Sequence, residues 1–192
     1  MFEPLRKRIA EEGKVLENDI LKVDPFINHQ VDPVLMDACG KEFARLFKFT
    51  EPTKILTAEI SGIAPALMTA MHLGIPVVYA RKHKPVTMPD TVYLTVAPSH
   101  TKGHMVELIV SPEYLANGER VLIIDDFLAS GATIAGLVSL AQTAGAKLVG
   151  IGALIEKTFE GGRELLEVLD IPIKALVPIA SLDNGKIIFA ED

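Results

Sequence analysis

Val121-Leu122-Ile123-Ile124-Asp125-Asp126-Phe127-Leu128-Ala129-Ser130-Gly131-Ala132-Thr133 decides the fold of this chain. Its four leading aliphatic residues read as a parallel strand buried on both faces, where polar alternation is lost. Two adjacent carboxylates stand at that strand's C-terminal end. A loop of small residues comes next, and a helical run covers residues 134–144. Loop amides, with the helix dipole behind them, favour a phosphate. Carboxylates placed just before it suit sugar hydroxyls or a magnesium ion. A ribose bearing a 5-phosphate matches both. Acids at a strand end and glycine near a helix start are each common turn chemistry. Their ordered combination carries the functional reading.

Outward from this stretch, strands alternate with helices. Lys54 to Ala58 reads as a strand, Ala64 to Leu73 as a helix closed by Gly74, and Val77 to Ala80 as a strand. Downstream come a strand at 147–155, a short helix at 162–169, a strand at 173–177 and an edge strand from Lys186 to Ala190. Upstream, residues 2–13 pattern as an amphipathic helix with Leu5 and Ile9 on one face. Residues 14–31 are short extended pieces with turns. Asp32-Pro33 is an N-cap and first-turn pair for a helix running to about Phe47. Residues 82–105 are polar and turn-rich, with Thr91 to Val96 and Val106 to Val110 as hairpin arms. The alternation predicts an α/β fold with a mostly parallel sheet, and ligands at the C-terminal strand ends.

The bulk numbers agree with one enzyme-sized domain. The chain has 192 residues, 49% hydrophobic and 23% charged. That is enough for a core. Its net charge is −6 with no long basic run. This argues against bulk nucleic-acid binding. The lone Cys39 excludes an intrachain disulfide and sits in a helical pattern as a small hydrophobe. No signal-peptide core and no membrane-length apolar run are present, so the expected location is cytoplasmic.

Three more stretches carry chemistry. The loop Glu59-Ile60-Ser61-Gly62 joins a strand end to a helix and can present the amides of Ser61 and Gly62 to an anion; a plain βα turn with a serine cap has the same spacing. Arg81, Lys82 and Lys84 come after the next strand as a landing site for polyphosphate, although a charge run is usually a solvated turn. Lys157, ending the 147–155 strand, can donate to a carbonyl oxygen, and Phe159 beside it can stack a planar base. His83, His100 and His104 lack ligand spacing, so no protein metal site is expected.

The 121–133 stretch resembles the phosphoribosyl pyrophosphate (PRPP) motif of type I phosphoribosyltransferases. The whole layout is similar to the bacterial xanthine branch of that family, which shows a Leu-Lys-Val-Asp-x-Phe-x-Asn-His-Gln stretch like the one at 21–30 here. The resemblance implies a single domain over 1–192, with a central sheet, an N-terminal hood (1–31), a flexible lid hairpin (82–110) and a C-terminal hood segment (170–192). It implies that Asp125 and Asp126 face the ribose and that Ala129, Ser130, Gly131, Ala132 and Thr133 wrap the 5-phosphate. Ser61, Gly62, Arg81 and Lys82 would receive pyrophosphate, and Leu21, Asn28 and Lys157 would bind the base. The implied reaction makes xanthosine 5′-monophosphate and pyrophosphate from xanthine and PRPP, with Mg2+ held mainly by PRPP and pyrophosphate, in a homodimer. The sequence departs from many 6-oxopurine relatives at Ala129, where they carry a third Asp. Adenine-type members share that alanine. Hypoxanthine-guanine and adenine phosphoribosyltransferases are therefore the enzyme alternatives, and Lys157 disfavours adenine, whose 6-amino group is itself a donor. A PRPP-sensing regulator is the alternative of another class. It would need a DNA-binding module, for which there is neither room before residue 14 nor a basic patch.

Overall fold

The computed structural model describes residues 1–17, 19–98 and 105–190. The chain begins with helix α1 (Glu3–Glu12) and a small hairpin, β1 (Lys14–Leu16) with β2 (Ile20–Lys22). A π-helical turn, Asp24–Asn28, occupies part of the region expected to be extended. Asp32 then caps α2 (Pro33–Phe47), accepting from the amides of Val34 and Leu35 at 3.0 and 3.1 Å. β3 (Lys54–Ala58), α3 (Ile63–Leu73) and β4 (Val77–Ala80) come next, with Gly74 ending α3 at φ +70°. After them stand β5 (Tyr93–Pro98), β6 (Met105–Val110), β7 (Arg120–Leu128), α4 (Ala132–Thr143), β8 (Lys147–Lys157), α5 (Gly162–Glu167), β9 (Ile173–Ser181) and β10 (Ile188–Phe189).

Six strands form the central sheet in the order β10-β9-β8-β7-β3-β4, parallel except for β10. Both faces are covered. Leu122 and Ile124 of β7 join the core beneath α2 and α3, while Val121 and Ile123 join the one beneath α4. Successive strand residues point to opposite faces, so a strand sandwiched between helices must be apolar at every position. Cys39 is buried in the first core, and burial pushes its thiol up to about 12. A thiol so rarely ionised is unreactive.

The structure moves two of the expected boundaries. β7 does not end before the acidic pair but runs through it to Leu128, because β8 keeps pairing alongside, Asp125 opposite Ala153 and Leu128 opposite Glu156. Backbone pairing with a longer neighbour overrides the poor strand propensity of aspartate. β9 extends past the expected 173–177 to Ser181 and is an inner strand of the main sheet. β10 reaches the N-terminal elements, where Arg6 lies 5.5 Å over the Phe189 ring.

The 82–110 region contains the expected antiparallel hairpin, β5 with β6. It is seated rather than detached: Ala97 and Leu108 are buried, and a Cβ on Gly136 of α4 would lie 2.9 Å from Leu108 Cδ1. Arg81 and Ile109 exchange backbone hydrogen bonds at 2.8 and 2.9 Å, which ties the hairpin root to the sheet edge. His100 and His104 lie outside the described residues.

Candidate active site

The acidic pair sits where β7 rises past its shorter neighbour β3. Asp125 is 5% exposed and Asp126 is half-buried. The Asp126 amide donates to Asp125 Oδ1 at 3.0 Å. Burial, and then the adjacent Asp126 charge, hold the Asp125 carboxyl well above the usual carboxylate range. Lys82 pulls the other way. Gly62 is the close neighbour: a Cβ there would lie 2.5 Å from Asp125 Oδ1 and would overlap Thr57 Oγ1. Both carboxyl groups line a cleft of about 480 Å³ at the C-terminal edge of the sheet.

The loop after β7 forms one wall of that cleft. Ala129, Ser130, Gly131, Ala132 and Thr133 all line it. Gly131 is the N-cap of α4 at φ +79°, and no side chain caps the helix. That left-handed conformation favours glycine. The first-turn amides of α4 are thus directed at the cleft, the arrangement suited to an anion. The loop is braced from behind by Gly162. A Cβ on Gly162 would overlap the Ala129 carbonyl and lie 2.6 Å from the Gly131 nitrogen. Next to Gly162, Arg163 clamps the buried Glu156 with two hydrogen bonds of 2.7 and 2.5 Å.

Ser61 and Gly62 line the cleft across from this loop. The N-cap of α3 is Gly62 and no side chain caps the helix, so the serine-cap alternative does not hold. The Glu59–Ile60 peptide is cis. Of the basic turn, Lys82 lines the cleft, but Arg81 does not. The Arg81 guanidinium lies 5.9 Å over the Tyr79 ring, with its Nε 3.2 Å from Glu59. Lys84 is turned toward Asp90, donating to its carbonyl at 3.1 Å.

The cleft is also lined by Leu21 from β2, Asn28 from the π-helical turn and Lys157 from the end of β8. Lys157 Nζ donates to the Asp19 carbonyl at 2.8 Å and to Glu160 Oε1 at 2.9 Å. One buried ammonium therefore joins β8 to the N-terminal hairpin. Phe159 is exposed and lies apart; the aromatic residue that lines the cleft is Phe127. Among the described residues no cluster of three His, Cys, Asp or Glu side chains could hold a metal by itself.

Of the expected site residues, all but Arg81, Lys84 and Phe159 therefore line one cavity. Sequence reasoning passes over Glu59 and Phe127, and over the Gly162–Arg163–Glu156 brace. A strand read as ending at Ile124 hides Phe127. Glu59 carries a signal, an acid at the end of a parallel strand, that the neighbouring serine and glycine obscure.

The phosphoribosyl transferase domain family matches residues 33–174. The chain is 50% identical over 191 residues to the xanthine phosphoribosyltransferase of Bacillus licheniformis, covering 100% of this chain and 98% of that one. It is 49% identical over 187 residues to the xanthine phosphoribosyltransferase of Bacillus cereus strain G9842, covering 97% and 95%. Among solved structures, the adenine phosphoribosyl transferase of Trypanosoma brucei, in complex with AMP, pyrophosphate and ribose-5-phosphate, shares the fold. It matches with a TM-score of 0.74 at 22% identity, over 91% of this chain and 79% of that one.

Proposed function

The chain belongs to the phosphoribosyltransferase family, and on that premise we propose that it transfers the 5-phosphoribosyl group of PRPP to xanthine, giving xanthosine 5′-monophosphate and pyrophosphate. The observation that carries this reading is the single cleft in which the acidic pair, an uncapped helix N-terminus, Lys82 and the buried Lys157 converge.

The roles come from position. The amides of residues 129–133 anchor the 5-phosphate. Asp126, and Asp125 beneath it, hold the ribose hydroxyls and stabilise positive charge as it develops on the sugar. The ring nitrogen N9 of the base attacks C1 while pyrophosphate departs toward Ser61, Gly62 and Lys82. Lys157 offers a donor to an oxygen of the base, Leu21 packs on its face and Asn28 hydrogen-bonds its edge. No residue of the 129–133 loop can act as a general base, and the acidity of xanthine removes the need for a strong one. Positioning and charge stabilisation therefore supply the catalysis.

Magnesium fits this donor set as an ion that arrives with its polyphosphate. Mg2+ characteristically keeps waters and binds substrate phosphates plus one or two carboxylates. Asp125 and Asp126 are the pair of carboxylates that the cleft places just before the phosphate loop. When bound it neutralises charge on the leaving group. The seated hairpin serves as the lid that excludes water from the activated sugar.

A C₂ homodimer is supported by an apolar stripe on α3 and the turn before it. Ile60, Leu67 and Met71 are 78%, 53% and 60% exposed. Large apolar side chains grouped on a surface mark an interaction face, and a two-fold dimer is the commonest way to cover one. Among the described residues no helix is long and apolar enough to cross a membrane. A cytoplasmic site of action fits substrates that are highly charged phosphate esters.

Pyrophosphate release from PRPP and magnesium tests the reading, with xanthine, guanine, hypoxanthine and adenine supplied in turn. Release is expected to be greatest with xanthine. Tight PRPP binding without release for any base would overturn the enzymatic reading.

A further inference from the structure

Glu59 lines the cleft at the mouth of the proposed leaving-group side, and nothing in the transfer reaction uses it. Its two carboxylate oxygens are divided between the first two residues of the basic turn. Oε1 accepts the Lys82 amide at 2.6 Å, and Oε2 lies 3.2 Å from Arg81 Nε. Its own amide donates to the Ala80 carbonyl at 3.1 Å, so both ends of Glu59 address the end of β4. An N–H beside a fixed guanidinium is the donor set that a phosphate oxygen takes. Here an anion belonging to the protein occupies it.

The occupation is incomplete. Arg81 Nε is buried, and despite its proximity to Glu59 it finds no properly aligned acceptor among the described residues. A buried donor without a hydrogen bond is costly, and a mobile anion that satisfied it would be favoured. A carboxylate that served only to staple two strand ends would leave no such spare donor. Glu59 also places a negative charge beside Lys82, the cation that faces Asp125 and the cleft.

We propose that Glu59 is an internal counter-anion of the leaving-group subsite. It holds the Lys82 amide and draws Arg81 aside while pyrophosphate is absent, gives up both donors as pyrophosphate forms, and reclaims them as pyrophosphate departs. Glu59 makes and breaks no covalent bond. Its effect is on product retention: a resident negative charge lowers the affinity of the site for a polyanion, and release is thereby faster. The inference rests on the reading that the basic turn receives pyrophosphate.

The test is pyrophosphate inhibition of the forward reaction in Glu59→Gln, with Lys82→Ala alongside. Glu59→Gln should lower the inhibition constant for pyrophosphate by roughly two- to fivefold, the scale of one partly exposed charge interaction. A residue that only stapled the turn would loosen it on substitution and raise that constant, so an unchanged or raised value overturns the inference. Lys82→Ala should weaken pyrophosphate inhibition. If it does not, the leaving-group reading has itself failed; if it does, and Glu59→Gln fails to tighten, only the counter-anion role falls. The native chain, labelled with 15N-lysine, gives a readout free of any folding defect. The Lys82 amide resonance should move on addition of magnesium pyrophosphate, and a stationary resonance at saturating pyrophosphate overturns the exchange of partners.

Discussion

Asp125 is a carboxyl that the fold would be more stable without. The buried group holds its proton to a higher pH than the same aspartate in the unfolded chain, which titrates around 3.8. From that value up to the raised native one, the folded state carries more protons than the unfolded state. Stability therefore falls as pH rises through this window and remains lowered above it. Asp125→Asn should raise the melting temperature at pH 7, with the gain vanishing below about pH 4. In the same variant turnover should drop by about 10²- to 10³-fold, the scale of one lost electrostatic stabiliser. An unchanged melting temperature by calorimetry would mean that Asp125 is ionised at no cost. Lys157→Ala should raise the KM for xanthine by about tenfold or more while leaving that for PRPP nearly unchanged, because the proposed role of the lysine is a hydrogen bond to the base and not to the phosphates. Residue identities at the acidic pair, the phosphate loop and Lys157 were legible because each combines an unusual residue type with a strand end. The direction of Arg81 was not legible, because it depends on Glu59 and Tyr79, two contacts that no local pattern encodes.

Elements were legible wherever local chemistry sets their limits. Asp32-Pro33 opens α2 and Gly74 closes α3 as their cap chemistry requires. The ends of β7, β8 and β9 were not, since a strand continues for as long as its neighbour offers a ladder, and that is a tertiary fact. The seat of the phosphate loop was equally invisible, being a contact between Gly162 and a loop more than thirty residues earlier. It yields a sharp expectation. Gly162→Ala should push the Ala129 carbonyl and Gly131 amide out of place, raising the KM for PRPP by roughly tenfold with little change in that for xanthine. Steady-state kinetics with each substrate varied separately will show it, and an unchanged KM for PRPP would mean that the loop finds its shape without the brace.

For the molecule as a whole, the sheet brings its strand ends to one cleft, and the α3 stripe gives it an apolar patch facing outward. Leu67→Glu should convert the proposed dimer to a monomer in sedimentation velocity, since an isologous contact puts the new charge in the interface twice. A dimer that persists in Leu67→Glu would place the interface elsewhere. The order of the inner strands has a further consequence. β8 ends at Lys157, β7 carries Asp125 and Asp126 near its end, and β3 with β4 lead into the loops of Ser61 and Lys82, the proposed base, ribose and leaving-group positions. Neighbouring strands stand about 4.8 Å apart, so the three subsites are laid out as steps along a ruler, with the sugar in the middle. A nucleophile held on one side of a ribose and a leaving group drawn off on the other permit displacement from opposite faces only. The configuration at the anomeric carbon must therefore invert, and the α-linked pyrophosphate of PRPP should give exclusively the β-nucleotide, which the proton coupling at that carbon reports.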